Sequence, residues 1–209
     1  MIKNLVELTK VRIGFLVLTT TIIGFYLGSQ GSFSSSLLMY TILGTLFSST
    51  GGSILNNVIE IDSDKNMERT KKRVLPTKKI SFKFALFLGL AFAITGLFIL
   101  YFKVNTLTAT LSFLTIALYL FVYTPLKRVS WINTSIGAIP GAIPPLGGWT
   151  AATNSLDLGG IALFLILFFW QHPHFYAIAF MYKDDYANAG LKMLPVVENG
   201  AKRCTAIRH

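Results

Sequence analysis

Apolar residues fill long stretches of this chain, and the polar residues fall between them in short blocks. A hydrocarbon core of about 30 Å takes roughly 20 apolar residues as a helix, and six stretches reach that length, at about 12–28, 37–57, 82–102, 105–123, 133–153 and 158–181. The pattern predicts an all-α, polytopic membrane protein, with no internal repeat and no low-complexity segment. Only a few residues around Lys103 to Asn105 separate the third and fourth stretches, which predicts a tight antiparallel pair. The fifth contains GAIPGAIPPLGGW, so Pro140, Pro144 and Pro145 are expected to make it irregular. Such breaks are tolerated where the freed backbone groups face protein or a wet cavity. Gly137, Gly141, Gly147 and Gly148 also permit close helix approach, so a packing kink and a cavity wall are both open readings.

The N-terminal MIKNLVELTKVRIGFLVLTT lacks a small-residue cleavage site after an apolar core of the right length, and it is not an Arg- and Ser-rich presequence. It reads as the first membrane helix of a bacterial-type inner-membrane protein. With 53% hydrophobic and only 13% charged residues among 209, an ordinary soluble domain is excluded. The formal charge of +10 raises nucleic acid as a partner, but the bases lie between bilayer-length segments. The lipid bilayer surface therefore accounts for them, and no nucleic acid is expected. With the N-terminus in the cytoplasm, every Lys and Arg except Lys103 falls on the inside, which fixes the expected topology. Every acid except Asp157 falls there too. The charge rule does not require that, and it points to a site on the cytoplasmic face. Cys204 is the single cysteine, so no internal disulfide forms, and it is expected to be structural or incidental.

The stretch Gly51–Lys79 passes from apolar residues into acids and then bases. Asn56, Glu60 and Asp64 are spaced i, i+4, i+8 and lie within about 80° of one another on a helix, with Asp62 off that face. Oxygen ligands at a helix mouth, followed by Arg69, Lys71, Lys72 and Arg73, suit a magnesium-bound polyphosphate. The competing reading is a solvated juxtamembrane loop whose bases obey topology rules. A second acidic pair, Asp184 and Asp185, follows the sixth stretch on the same side. Within that stretch Trp170, Gln171, His172, His174 and Tyr176 interrupt the apolar run, and intramembrane polar residues are functional candidates. If the helix is continuous, His174 and Asp185 share nearly one face, whereas His172 and His174 point about 200° apart. Lys127 and Arg128, in YTPLKRVSW, serve either as topology determinants or as phosphate or carboxylate ligands.

Two acidic groups at helix ends on one membrane face resemble the UbiA-type intramembrane prenyltransferases. The signature of that family is an Asn with acids at +4 and +8, followed by Arg-Thr-x-x-Arg. Here it reads Asn56, Glu60, Asp64, then Arg69, Thr70 and Arg73. The blocks YTPLKRVSWINTSIGAIPGAIPPLGGW and WQHPHFYAIAFMYKDDYANAGLKMLPVV resemble more narrowly the haem-modifying branch of the family, and the likeness spans nearly the whole chain. Glu60 stands where the family usually has Asp, and Ile61 where Arg is common. Quinone-branch relatives carry Asp-x-x-x-Asp where this chain has Tyr182 and Tyr186, with Asp184 and Asp185 between.

The resemblance implies a UbiA-type helical bundle of about nine helices around a central cavity, as a single transmembrane prenyltransferase domain over 1–209. Only six helices are predicted here, and ENGAKRCTAIRH looks like the approach to a seventh, so a C-terminally truncated piece is expected. The implied reaction transfers a farnesyl group from farnesyl diphosphate to a vinyl group of haem b, making haem O for terminal oxidases, with haem A synthase or oxidase assembly downstream. The implied cofactor is Mg2+, held by Asn56, Glu60 and Asp64, with Asp184 or Asp185 at a second ion. Arg69, Lys72, Arg73 and Lys127 are implied diphosphate contacts, Arg128 a propionate partner and His174 a porphyrin ligand. A prenyltransferase of aromatic or quinone precursors and a non-enzymatic cation transporter are the alternatives.

Overall fold

The computed structural model describes residues 2–198. Cys204 and the expected approach to a further helix lie outside the described residues. The helices are α1 Ile2–Leu8, α2 Val11–Ser29, α3 Ser35–Ile59, α4 Ile61–Lys65 and α5 Phe82–Lys103. They are followed by α6 Thr106–Leu126, then α7 Asn133–Thr153, α8 Leu158–Met181, α9 Lys183–Asn188 and α10 Leu194–Val197. Five of them, α2, α3, α5, α6 and α8, are long and apolar enough to cross a membrane. Large side chains such as Phe87, Phe121 and Leu158 stand exposed on the outer faces, where a bilayer supplies the apolar solvent.

Local chemistry sets where the helices begin. Ser34, Ser81 and Asn105 accept N–H bonds from Leu37, Phe84 and Thr108 at 3.3, 3.2 and 2.8 Å, and Asp157 accepts those of Gly159 and Gly160. Each satisfies an amide that the first helical turn leaves without a partner. Asn105 also donates to the carbonyl of Thr150 at 2.8 Å, so the tight α5–α6 turn is pinned to the far end of α7.

Helix α3 packs along α5, and α7 packs between α2 and α8. Small residues bring the backbones together. A Cβ on Gly51 or Gly96 would strike the facing backbone of α5 or α3, and one on Gly148 would strike the Thr21 carbonyl of α2. The expected irregularity of the fifth stretch is not found: α7 runs unbroken from Asn133 to Thr153 with all three prolines inside it. The prolines withdraw the N–H groups that would bond the carbonyls of Ile136, Pro140 and Gly141. Close neighbours on both sides confine the helix in place of those bonds. Pro144 and Gly147 also line a narrow cavity of about 60 Å3 between α2, α3, α6 and α7, with Ser48, Ser49 and Thr115 opposite.

One further expectation changes, and one condition is resolved. The N-terminal stretch is not one helix, because Lys10 takes the left-handed conformation, φ 51°, between α1 and α2. The sixth stretch keeps its expected bounds, and the condition of a helix continuous to Asp185 is not met. It ends at Met181 and restarts after Tyr182 as α9, so His174 and Asp185 do not lie on one helical face. At that same end, Leu8, Ile54, Val58, Val74, Leu75 and Ala85 form a buried cluster that folds α1 and the 66–80 segment over the end of α3.

Candidate functional site

The end of α3 carries the Asn56–Glu60–Asp64 row. Glu60 closes α3, and the helical path survives the cap, with Glu60 N–H on Asn56 O at 2.9 Å and Asp64 N–H on Glu60 O at 2.8 Å. That continuity keeps the three side chains on one face, as their spacing predicts. Asn56 and Asp64 are buried and Glu60 is partly so. Asp62 points to solvent and pairs with Lys65.

Each polar group in the row has a basic or hydroxyl partner. Glu60 Oε1 accepts from Lys127 Nζ at 2.7 Å. Both oxygens of Asp64 accept from one terminal nitrogen of Arg73, at 3.0 and 2.9 Å. Asn56 Oδ1 accepts from Lys10 Nζ and from the Tyr119 hydroxyl, both at 3.1 Å, while its Nδ2 donates to Thr124 Oγ1 at 3.0 Å. This network fixes the orientation of the Asn56 amide. Thr70, the second residue of the Arg-Thr-x-x-Arg signature, donates to the Asp64 carbonyl at 3.0 Å and closes the turn that returns Arg73 to the row.

Electrostatics agree with this pairing. Burial alone pushes the Glu60 carboxyl up, but Lys127, Lys10 and Arg73 together hold it below its usual range. Burial alone would lower Lys127, yet Tyr123, whose ring lies 4.3 Å beneath its ammonium, and Glu60 raise it. Lys10 has no carboxylate in hydrogen-bond contact. Burial, followed by the nearby Arg73, lowers it to about 8.

Spacing did not reveal Lys10, Tyr119, Tyr123 or Thr124. The left-handed turn at Lys10 swings its side chain inward. A π-helical turn, Leu118–Tyr123, lets α6 present Tyr119 and Tyr123 as a stacked pair, rings 5.6 Å apart, on the site side. The signal for Tyr123 is its position four residues before Lys127; nothing in the sequence singles out Lys10. Beside the row, a cavity of about 180 Å3 is walled by Glu7, Lys10, Asn57, Asp64 and Arg73.

The other predicted residues lie further out. Arg69 sits 4.9 Å over the Tyr182 ring. Lys72 is exposed, and Lys71 turns to Glu68. Arg128 donates to Ser63 Oγ at 2.9 Å. The second acidic pair does not join the first. Asp184 is exposed, and Asp185 accepts the backbone N–H groups of Glu68 and Arg69 at 3.2 and 3.1 Å. The reason is rotational: on α9 the face turned to the bases carries Tyr182 and Tyr186, and the acids lie between these positions. Burial raises the Tyr186 phenol within the field of Arg69, Lys127 and Glu60. The two histidines of α8 diverge, in line with their angular separation. His172 lies between the carbonyl of Phe168, 2.8 Å, and Ser135 Oγ, 3.2 Å. His174 is exposed and stacks on Trp170 with centroids 5.0 Å apart.

Oxygen donors ringed by bases at one end of a helical bundle can bind a hard cation together with a polyanion. The chain is 45% identical, over 94% of its length, to a protein from Solibacter usitatus named protoheme IX farnesyltransferase, of which it covers 70%. It is 42% identical, over 98% of its length, to the human mitochondrial protein of that name, and spans 46% of it. Two solved structures share the fold. A digeranylgeranylglyceryl phosphate synthase matches with TM-score 0.80 at 19% identity, covering 99% of this chain and 73% of its own. A UbiA homolog from Archaeoglobus fulgidus, bound to DMAPP and Mg2+, matches with TM-score 0.78 at 17% identity, covering 98% and 73%. Since the model of one family also matches residues 17–207, the chain belongs to the UbiA prenyltransferase family.

Proposed function

We propose that this protein transfers the farnesyl group of farnesyl diphosphate to a vinyl group of haem b, making haem O, with Mg2+ as cofactor. The observation that carries the reading is the Asn56–Glu60–Asp64 row set among Lys10, Arg73 and Lys127. The haem acceptor is supported by the relatives named protoheme IX farnesyltransferase. All three members of the row offer hard oxygen donors on one face, which fits Mg2+. When bound, the ion neutralises the leaving diphosphate.

The residues divide the work as follows. Asn56, Glu60 and Asp64 hold the cation, and Lys127 and Arg73, their present partners, turn to the diphosphate oxygens. Lys10 and Arg69 add charge from either side, with Lys72 at the rim. Tyr123 backs the Lys127 ammonium and keeps it at the mouth of the helices. The C1–O bond of the farnesyl group breaks and diphosphate leaves. C1 bonds the terminal vinyl carbon, and water adds hydroxyl to the adjacent carbon and releases a proton. Apolar helix walls keep water from the allylic cation until the vinyl group has reacted. The His174–Trp170 stack offers haem a flat surface. Arg128 reaches a propionate only by leaving Ser63. The site end faces the cytoplasm of a bacterial inner membrane, and the chain forms a single prenyltransferase domain.

The test uses membranes holding the whole protein, given haem b, farnesyl diphosphate and Mg2+, with products read by mass. Haem O is expected, and Asn56→Ala, Glu60→Ala or Asp64→Ala should each abolish it with the protein still in the membrane. Normal turnover in all three would remove the row from the chemistry, and a prenylated product other than haem O would replace the acceptor. Unchanged haem affinity in His174→Ala would end its porphyrin role.

A further inference from the structure

The Lys127 ammonium has two partners, the Glu60 carboxylate at 2.7 Å and the Tyr123 ring at 4.3 Å. In serving a diphosphate it gives up the first and keeps the second. Its backbone is tied down. The Lys127 carbonyl accepts the Lys192 N–H at 2.7 Å, and the Lys192 carbonyl accepts Asn133 Nδ2 at 3.0 Å, which joins that turn to the start of α7. Once Glu60 is released, the place of the ammonium is set by the Tyr123 ring, four residues earlier on the same helical face.

That ring is placed in turn by α7. Tyr119 stacks on it with planes 22° from parallel, and the N–H and hydroxyl of Thr124 both bond the Tyr119 carbonyl, so the backbone under the two rings is clamped. Gly137 of α7 meets the ring from outside its own helix. A Cβ there would stand 2.5 Å from Cε2 and 2.6 Å from Cδ2 of Tyr123, far inside van der Waals contact, so the ring rests on bare main chain. Gly148 differs, because its obstacle is a backbone carbonyl of α2. At Gly137 the obstacle is a side chain that turns about its own torsions, so a methyl group displaces the ring and leaves the helix where it is.

We infer that Gly137 is a positioning residue for Lys127: its bare backbone seats the Tyr123 ring, and the seated ring holds the ammonium in place when Lys127 leaves Glu60 for the diphosphate. The inference rests on the diphosphate reading above and deepens it, naming a residue that carries no functional group of its own. A ring suits the task because its negative face attracts the ammonium without cancelling its charge, as a carboxylate does.

The experiment measures, by titration calorimetry, how the whole protein in lipid nanodiscs with Mg2+ binds the unreactive analogue farnesyl thiodiphosphate. Gly137→Ala should weaken the analogue about tenfold, the worth of a cation–π contact away from water. It should also raise the KM for farnesyl diphosphate and leave the KM for haem b unchanged, a split that general loosening of the fold would not produce. Gly147→Ala, on the same helix with open space around it, should change none of these. In a Lys127→Met background the loss from Gly137→Ala should vanish, because the glycine acts only through the ammonium. Tyr123→Leu should match Gly137→Ala by itself, which keeps the test open if the alanine variant does not fold. Undiminished affinity in Gly137→Ala or in Tyr123→Leu, or an equal loss with and without Lys127, would overturn the inference and leave the diphosphate reading standing. No binding of the analogue by the unaltered protein would overturn both.

Discussion

At Glu60 and Lys127, two opposite charges meet at 2.7 Å, each side chain about 15% exposed. Desolvation of both ions offsets much of their attraction, so the pair contributes little net stability while the loss of one member leaves a charge stranded. Lys127→Met should therefore destabilise the protein by about 3 kcal/mol, as read from thermal unfolding in detergent. Glu60→Gln combined with Lys127→Met should restore most of that loss without restoring farnesyl transfer. If the double variant is as unstable as Lys127→Met alone, the stranded charge is not the cause. Of the signature residues, Arg73 and Thr70 act on Asp64 itself, through its carboxylate and its carbonyl. Their identities were legible in the sequence, but which atom each would touch was not. Lys10 was invisible there, because its inward turn comes from one left-handed residue in an otherwise helical stretch.

Among the elements, α7 is the one whose sequence and structure disagree most. Three prolines and four glycines argue for a break, and the helix stays whole because α2 and α8 confine it. That confinement makes adjacent glycines unequal. Gly148 faces the Thr21 carbonyl with no room for a Cβ, while Gly147 has nothing within contact distance of one. Gly147→Ala should be neutral or stabilising by about 0.5–1 kcal/mol through helix propensity. Gly148→Ala should cost about 1–3 kcal/mol by forcing α2 away. Equal melting temperatures for the two would mean that the close approach of α2 and α7 is not what binds them. The π turn of α6 is the other element that pattern could not show. Its hydrophobicity reads as an ordinary helix, yet the widened turn brings Tyr119 and Tyr123 to one side with Thr124 Oγ1 bonded to the Tyr119 carbonyl at 2.7 Å.

For the molecule as a whole, charge sorts to one end. The basic blocks, the acid row, the Asp185 bonds to the Glu68 and Arg69 amides and the Lys192–Lys127 backbone bond all meet where α3, α6 and α8 end and α7 begins. In a Cys204→Ser background, a membrane-impermeant maleimide applied to intact cells should label Ser32→Cys in the turn after α2 and leave Lys79→Cys at background. The reverse pattern would invert the proposed orientation. The segment between α4 and α5 is no free loop, since Met67, Val74 and Leu75 are buried in it and anchor its backbone.

The sequence by itself determined the bounds of the long helices, because bilayer-length apolar runs allow little else, although five of the six expected runs, α7 being the exception, are apolar enough to cross a membrane. It also determined the Asn56–Glu60–Asp64 face, because i, i+4, i+8 spacing survives a helix cap when the backbone bonds continue through it. Only the tertiary structure decided that Lys10 joins that row, that α7 ignores its prolines, and that Asp185 turns to the backbone of Glu68 and Arg69. Each of these depends on partners from segments far apart in the chain, and spacing within one segment carries no information about them.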